Sequence, residues 1–300
     1  MESLLALDDA LIIFLQKRLG QSVMNYLAFM ADFSDELIVV TIVGVFYWCL
    51  DKQFGLKLLI YACIGNTLYP MAKNLALRPR PYMVNEKIRC IKQVVAGDVN
   101  SVAVQGYSFP SGHALNSLIV YGPIFKKYAN MLLRLILLIA MFSICLSRIA
   151  LGVHYPSDVL GGLLLGVLVF VIYHCLVKKL NYNQLYCVLL VVCALGFFYC
   201  TSDDFYTGYG MLLGVFLADN FEKKYVNFDK ASKLSEAILR IVFGLLLFLV
   251  LSKVLKMPFS EAFLNSGTFL AHLVRVGRYA FMILLCMGVY PLCFKYFKKK

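Results

Sequence analysis

Residues 131–177 read MLLRLILLIAMFSICLSRIALGVHYPSDVLGGLLLGVLVFVIYHCLV. Two long apolar runs flank a short turn that holds Arg148, His154 and Asp158. A bilayer core takes roughly 17 to 25 mostly apolar residues per helix, because in lipid every backbone N–H and C=O must find its partner inside the segment. Both runs meet that length, so the stretch predicts spans at 131–149 and 158–177 joined by a polar turn. Charged and titratable groups at such a turn point to chemistry.

The rest of the chain has the same character. Of 300 residues, 61% are hydrophobic and 15% charged, with a mean hydropathy of +0.77, outside the usual composition of a soluble domain. Further spans are expected at 36–50, 54–72, 111–125, 183–200, 206–220, 236–255 and 277–294, about nine crossings in all. The segments 36–50, 111–125 and 206–220 are short, so neighbouring polar residues extend them or the bundle encloses them. Residues 4–30 are patterned but interrupted by Asp8, Asp9, Lys17, Arg18 and Gly20. They read as an interfacial or half-buried helix, a tenth crossing being the other reading. The fold class is therefore all-α, a polytopic transmembrane helical bundle.

Several function classes are disfavoured. The first residues are acidic and apolar and lack a basic region, so no cleavable signal peptide is expected. The ten cysteines lie mostly within spans and give no disulfide or zinc spacing. There is no phosphate-binding loop of the nucleotide-hydrolase type and no dinucleotide fingerprint; the glycines of VLGGLLLGVL read as close helix packing. The net charge of +12 does not imply nucleic acid, because of where it lies. If the spans alternate, one side receives Lys52 and Lys57, then Lys126, Lys127 and Arg134, then Lys178 and Lys179, then FEKKYVNFDKASK with Arg240 nearby, and finally KYFKKK. That side is cytoplasmic by the positive-inside rule, which puts the C-terminus inside. Residues 73–110, the turn in the 150s and residues 256–276 fall on the other, extracytoplasmic side.

Three polar segments reach that same face: KNLALRPRP at 73–81, YSFPSGH at 107–113, and SRIALGVHYPSD at 147–158. Each suits a phosphate. Lys73, Arg80 and Arg148 supply fixed positive charge, and a guanidinium grips two phosphoryl oxygens at once. In PSGH, Ser111 and the amides near Gly112 and His113 open a helix whose dipole favours an anion. His154 and Asp158 are four apart, with Pro156 and Ser157 marking the helix start. That spacing lets the carboxylate hold one imidazole nitrogen while the other faces phosphorus, as an oriented nucleophile requires. His113 enters from another helix as acid to the leaving group and then base to water.

Taken together, these residues resemble the type 2 phosphatidic acid phosphatase (PAP2) superfamily, which also includes vanadium-dependent haloperoxidases. Its pattern is Lys, six residues, Arg-Pro; then Pro-Ser-Gly-His; then Ser-Arg, five residues, His, three residues, Asp. Lys73, Arg80, Pro81, Pro110, Ser111, Gly112, His113, Ser147, Arg148, His154 and Asp158 all match. Arg78-Pro79 is a competing register, but the six-residue gap selects Arg80. The resemblance covers about residues 36–200, a six-helix catalytic core. That leaves residues 1–35 as the N-terminal helix and 201–300 as a region of about three additional C-terminal spans.

The resemblance implies His154 as nucleophile, His113 as the leaving-group residue, Asp158 in support, and Lys73, Arg80, Ser111, Gly112 and Arg148 around phosphate. It implies dephosphorylation without metal or other cofactor, commonly of lipid phosphates or isoprenyl diphosphates. The expected partners are such a membrane substrate and the bilayer, not nucleic acid, and the expected setting is a bacterial cytoplasmic membrane. A lipid phosphotransferase, a vanadate-dependent haloperoxidase and a non-catalytic scaffold are the alternatives. Arg78, Lys87, Arg89 and Lys92 read as headgroup-binding or bilayer-binding, and Tyr107 as a pocket wall or interfacial tyrosine. His174 and His272 stand without partners in the sequence and read as non-catalytic. Asp219 and Glu222 read as a cytoplasmic-edge ion network with Lys223 and Lys224.

Overall fold

The structure, a computed structural model, describes residues 2–93 and 97–297. Lys298, Lys299 and Lys300, the end of the basic KYFKKK stretch expected on the cytoplasmic side, lie outside the described residues. Each of the nine expected segments is helical: Glu36–Gly44 with the π-helical Val45–Leu50, Lys52–Ala76, Gly112–Lys127, Met131–Ala150, Pro156–Val177, Tyr182–Ala194, Asp203–Phe221, Leu234–Val254 and Phe269–Ile283 with its continuation. Among the described residues, four helices are long and apolar enough to cross a membrane, or five if the pair Gln21–Ser34 and Glu36–Leu50 is one broken span. The chain is thus an all-α, polytopic membrane protein with four to five candidate spans. The lower number has a physical reason. Lys52–Ala76 carries Lys52, Lys57, Asn66, Lys73 and Asn74, and Tyr182–Ala194 has 13 residues, so these helices depend on enclosure more than on their own apolar length.

Local signals set the helix starts. Asn130, Ser111 and Thr268 each accept a first-turn N–H at their helix N-termini, as short polar side chains do there. Asn181 and Gln184 form a reciprocal capping box. Residues 2–31 form two helices, Glu2–Arg18 and Gln21–Ala31, where the sequence reading has one interfacial or half-buried helix. Gly20 stands between them as the cap of the second.

Two compact units are present: residues 1–39 with 69–172, and residues 40–68 with 173–300. In the first, Met131–Ala150 packs against both Gln21–Ala31 and Gly112–Lys127. Ile12, Ala31, Tyr82, Ile88, Leu151, Val153 and Tyr155 make one buried apolar cluster, which ties the N-terminal helices to the polar turn. Pro156–Val177 approaches the PSGH segment through glycine. A Cβ at Gly162 would lie 2.3 Å from the Ser111 carbonyl oxygen, and one at Gly161 would lie 2.3 Å from the Phe109 ring. This is the close packing the glycine pattern predicts.

In the second unit, Asp203–Phe221 packs against Phe269–Ile283 and Tyr182–Ala194. Several of its buried charged groups are paired. Arg240 bonds Glu236, the Trp48 carbonyl and the Asp229 carbonyl at 2.8 Å, and lies 4.1 Å from the Phe294 ring centroid. Asp219 pairs with Lys223 at 2.7 Å, as expected, whereas Glu222 takes Lys52 at 2.9 Å in place of a neighbouring lysine. His272 does have a partner, Asp203, at 3.5 Å, and stacks on Tyr206 with ring centroids 3.9 Å apart.

Candidate active site

The polar segments at 73–81, 107–113 and 147–158 all belong to the first unit. Lys52–Ala76 ends just after Lys73, whose ammonium lies 5.3 Å from the Tyr69 ring centroid. A Cβ on Gly112 would stand 3.4 Å from the same ring, so the lysine and the PSGH segment flank one tyrosine. Ser111 caps Gly112–Lys127, its Oγ accepting from the Ala114 N–H at 3.5 Å. Its own N–H donates to the Asp158 carbonyl at 3.0 Å. Gly112 and His113 therefore open the helix with amides that have no intrahelical acceptor, and the helix dipole adds partial positive charge there.

The turn after Met131–Ala150 folds back on itself. The Gly152 N–H donates to the Ile149 carbonyl at 3.0 Å and the His154 N–H to the Arg148 carbonyl at 3.1 Å. Gly152 has φ +79°, and a Cβ there would meet the Arg89 carbonyl oxygen at 2.3 Å; only glycine fits such a position. The turn brings His154 beside Arg148 and places Asp158 in the first turn of the next helix. Asp158 Oδ2 accepts from the Tyr155 N–H at 2.8 Å and from Ser108 Oγ, and lies 3.6 Å from His154 Nδ1. Nδ1 has no partner within hydrogen-bond distance. Catalytic contacts of this kind tighten on substrate binding.

The other imidazole nitrogen, Nε2, lies 3.4 Å from Arg80 Nη1. The rest of the Arg80 guanidinium is held by the Gln105, Gly106 and Val153 carbonyls at 2.6 to 3.1 Å. Arg148 is 3% exposed, and its Nε has no hydrogen-bond partner. A buried guanidinium with an orphaned donor suits an anion. Burial first, then the positive charges of Arg80, Arg148 and Lys73, hold the His154 imidazole well below its ordinary protonation range. His154 is thus neutral at physiological pH, the form that can act as nucleophile. The charges that bear on it come from the 73–81 and 147–158 segments.

His113 Nε2 contacts Asp35 Oδ1 at 3.1 Å. Asp35 stands at the break between Gln21–Ser34 and Glu36–Leu50 and has no counterpart in the sequence reading. Arg78, expected as a possible headgroup ligand, instead donates to Asp158 and Ser157 at 2.8 Å each and to Asp8 at 3.3 Å. Tyr107 is half-buried. Lys92 pairs with Asp32 and the Ala28 carbonyl, and Gln16 bridges the Arg89 backbone to the Ala150 carbonyl. Sequence reasoning missed Asp8, Gln16, Asp35 and Ser108. The available signal for Asp8 was a carboxylate in an apolar helix, which demands a partner.

Fold and site together define an all-α polytopic membrane protein that gathers two histidines, a lysine and buried arginines into one cluster. A family model described as PAP2 superfamily matches residues 54–182, and one described as PAP2 superfamily phosphatase, transmembrane extension, matches residues 206–300. Both models are of the PAP2 superfamily, which the chain matches over those residues. The chain is 27% identical over 270 residues to sphingosine-1-phosphate phosphatase 1 of Rattus norvegicus, covering 76% of this chain and 58% of that protein. It is 39% identical over 74 residues to phosphatidylglycerophosphatase B of Bacillus subtilis (strain 168), covering 21% and 36%. To the glucose-6-phosphatase catalytic subunit 1 of Canis lupus familiaris it is 30% identical over 144 residues, covering 40% and 39%. Each alignment thus spans less than two thirds of the relative. No solved structure matches the chain.

Proposed function

We propose that the chain hydrolyses a lipid phosphate or isoprenyl diphosphate at the extracytoplasmic face of the membrane, through a phosphohistidine on His154 and without a metal. The observation that carries this reading is a buried His154 with Asp158 3.6 Å behind Nδ1 and Arg80 3.4 Å from Nε2. His154 Nε2 attacks phosphorus as the bond to the leaving oxygen breaks, and His113, taking up a proton beside Asp35 as the anionic phosphate binds, gives that proton to the leaving oxygen. Water then attacks the phosphohistidine, passing a proton to His113; the P–N bond breaks and inorganic phosphate leaves. Lys73, Arg80 and Arg148, with the Gly112 and His113 amides, stabilise the charge that develops on the equatorial oxygens. Ser111 holds the helix start that presents those amides.

Membrane helices on both sides of the catalytic turn suit a substrate whose tail stays in lipid while its phosphate reaches the turn. The similarity to a sphingosine-1-phosphate phosphatase and a phosphatidylglycerophosphatase supports an amphiphilic phosphate. In this reading residues 36–200 are the catalytic core, 1–35 an N-terminal interfacial or half-buried region and 201–300 a C-terminal membrane region. The test is phosphate release by purified protein in mixed micelles, across lipid monophosphates and isoprenyl diphosphates, with EDTA present and His154→Ala in parallel. Release that survives chelation and is lost in the variant is expected. Equal turnover by His154→Ala overturns the mechanism.

A further inference from the structure

Asp158 has a fully buried side chain, and a carboxylate so placed is stable only with counter-charge and hydrogen bonds. Ser108 and the Tyr155 N–H serve Oδ2, the oxygen nearest His154. Arg78 Nη1 serves the other oxygen, Oδ1, at 2.8 Å. Arg78 is itself fixed on several sides. Nη1 also donates to Ser157 Oγ at 2.8 Å, Nη2 donates to Asp8 Oδ2 at 3.3 Å, and the guanidinium lies 3.8 Å from the Tyr155 ring centroid. Ser157 Oγ donates onward to the same Asp8 oxygen. Asp8 comes from Glu2–Arg18, with its side chain 5% exposed.

We propose that Arg78, locked by Asp8 of the N-terminal helix, is a positioning residue that fixes Asp158 so that its second oxygen faces Nδ1 of His154. The inference rests on the reading of His154 as nucleophile. Arg78 touches no reacting atom in this account. It neutralises the buried carboxylate from the side away from the imidazole and sets the angle of the carboxylate plane. One prong, Nη1, holds Asp158 while the other, Nη2, is held by Asp8, a bridge that the single point of a lysine makes less well. An arginine reserved for a lipid headgroup would keep its terminal N–H groups available, whereas Nη1 and Nη2 both have acceptors within the protein. The N-terminal helix thereby reaches the nucleophile through two side chains.

The test uses the full chain in mixed micelles, with kcat and KM measured separately for two lipid monophosphates of different headgroup. Arg78→Ala is expected to lower kcat roughly 10- to 100-fold, the usual effect of losing a partner that orients a ligating group, with KM little changed for either substrate. Arg78→Lys restores part of kcat, and so does millimolar guanidinium added to Arg78→Ala. Asp8→Asn lowers kcat in the same direction by less, and adds little on top of Arg78→Ala, because the two act in one chain. Three results overturn the inference: unchanged kcat in Arg78→Ala, a KM shift that tracks the headgroup, or a loss that neither lysine nor guanidinium repairs while Asp8→Asn is silent. If Arg78→Ala does not fold, Asp8→Asn decides alone, with lowered kcat at unchanged KM expected and unchanged kcat contradicting it. Absence of phosphate release by the unmodified protein is a separate result that overturns the proposed function itself.

Discussion

His154 lies 2% exposed among cations, and this has a thermodynamic as well as a chemical consequence. Its folded-state pKa is depressed, so below about pH 6.5 the unfolded chain binds a proton that the folded chain refuses. Stability therefore falls on acidification, by about 1.4 kcal/mol per pH unit for this group alone. Thermal unfolding of the wild type should worsen more between pH 7 and pH 5 than that of His154→Asn; equal slopes would contradict a neutral buried imidazole. Asp35 gives a second prediction. Its contact with His113 Nε2 at 3.1 Å fixes the orientation of the ring that, in the proposed mechanism, serves the leaving oxygen. Asp35→Asn should slow an alkyl phosphate by about 10-fold or more, yet slow an aryl phosphate much less, since a good leaving group needs little protonation. Comparing kcat/KM for the two substrates checks this, and equal losses would remove Asp35 from that role.

Helix packing makes its own demand on the PSGH segment. A Cβ at Gly162 would collide with the Ser111 backbone oxygen at 2.3 Å, whereas one at Gly166 would meet a movable methyl of Leu118 at 2.9 Å. Gly162→Ala should cost about 1 to 3 kcal/mol of stability through overpacking and lower turnover by displacing the helix start that holds Ser111. Gly166→Ala should do less of both, and unfolding and turnover measured on the pair check the order. The glycine pattern, the helix positions and the matched motifs were legible in the sequence because each depends on spacing within one segment. The partners of those motifs were not. Asp35 is 78 positions from His113, and Asp8 is 149 from Ser157, so no local periodicity links them. Lys92 and Arg78 read as bilayer or headgroup ligands because a span-end cation looks the same whether it faces lipid phosphates or a carboxylate brought by the fold. Four to five helices of the nine expected segments are long and apolar enough by themselves, because enclosed helices tolerate lysines and asparagines that free-standing spans do not.

Orientation in the bilayer is a property of the whole chain, and the basic loops predict that residues 97–101 lie outside and residues 227–233 inside. In a cysteine-free background, Asn100→Cys should react with a membrane-impermeant thiol reagent in intact cells, and Lys230→Cys only after permeabilisation; the reverse pattern would invert the topology. Catalysis at the outer face then requires a substrate presented from that leaflet. The proposed function turns on a phosphoryl bond to His154. The decisive measurement is rapid acid-free quench of the protein with a phosphate-radiolabelled lipid substrate, followed by mapping of the labelled peptide. The account predicts an alkali-stable, acid-labile phosphoryl group on His154, formed and lost at rates consistent with turnover and missing from His154→Ala. Label on another residue, or full turnover by His154→Ala, would contradict it.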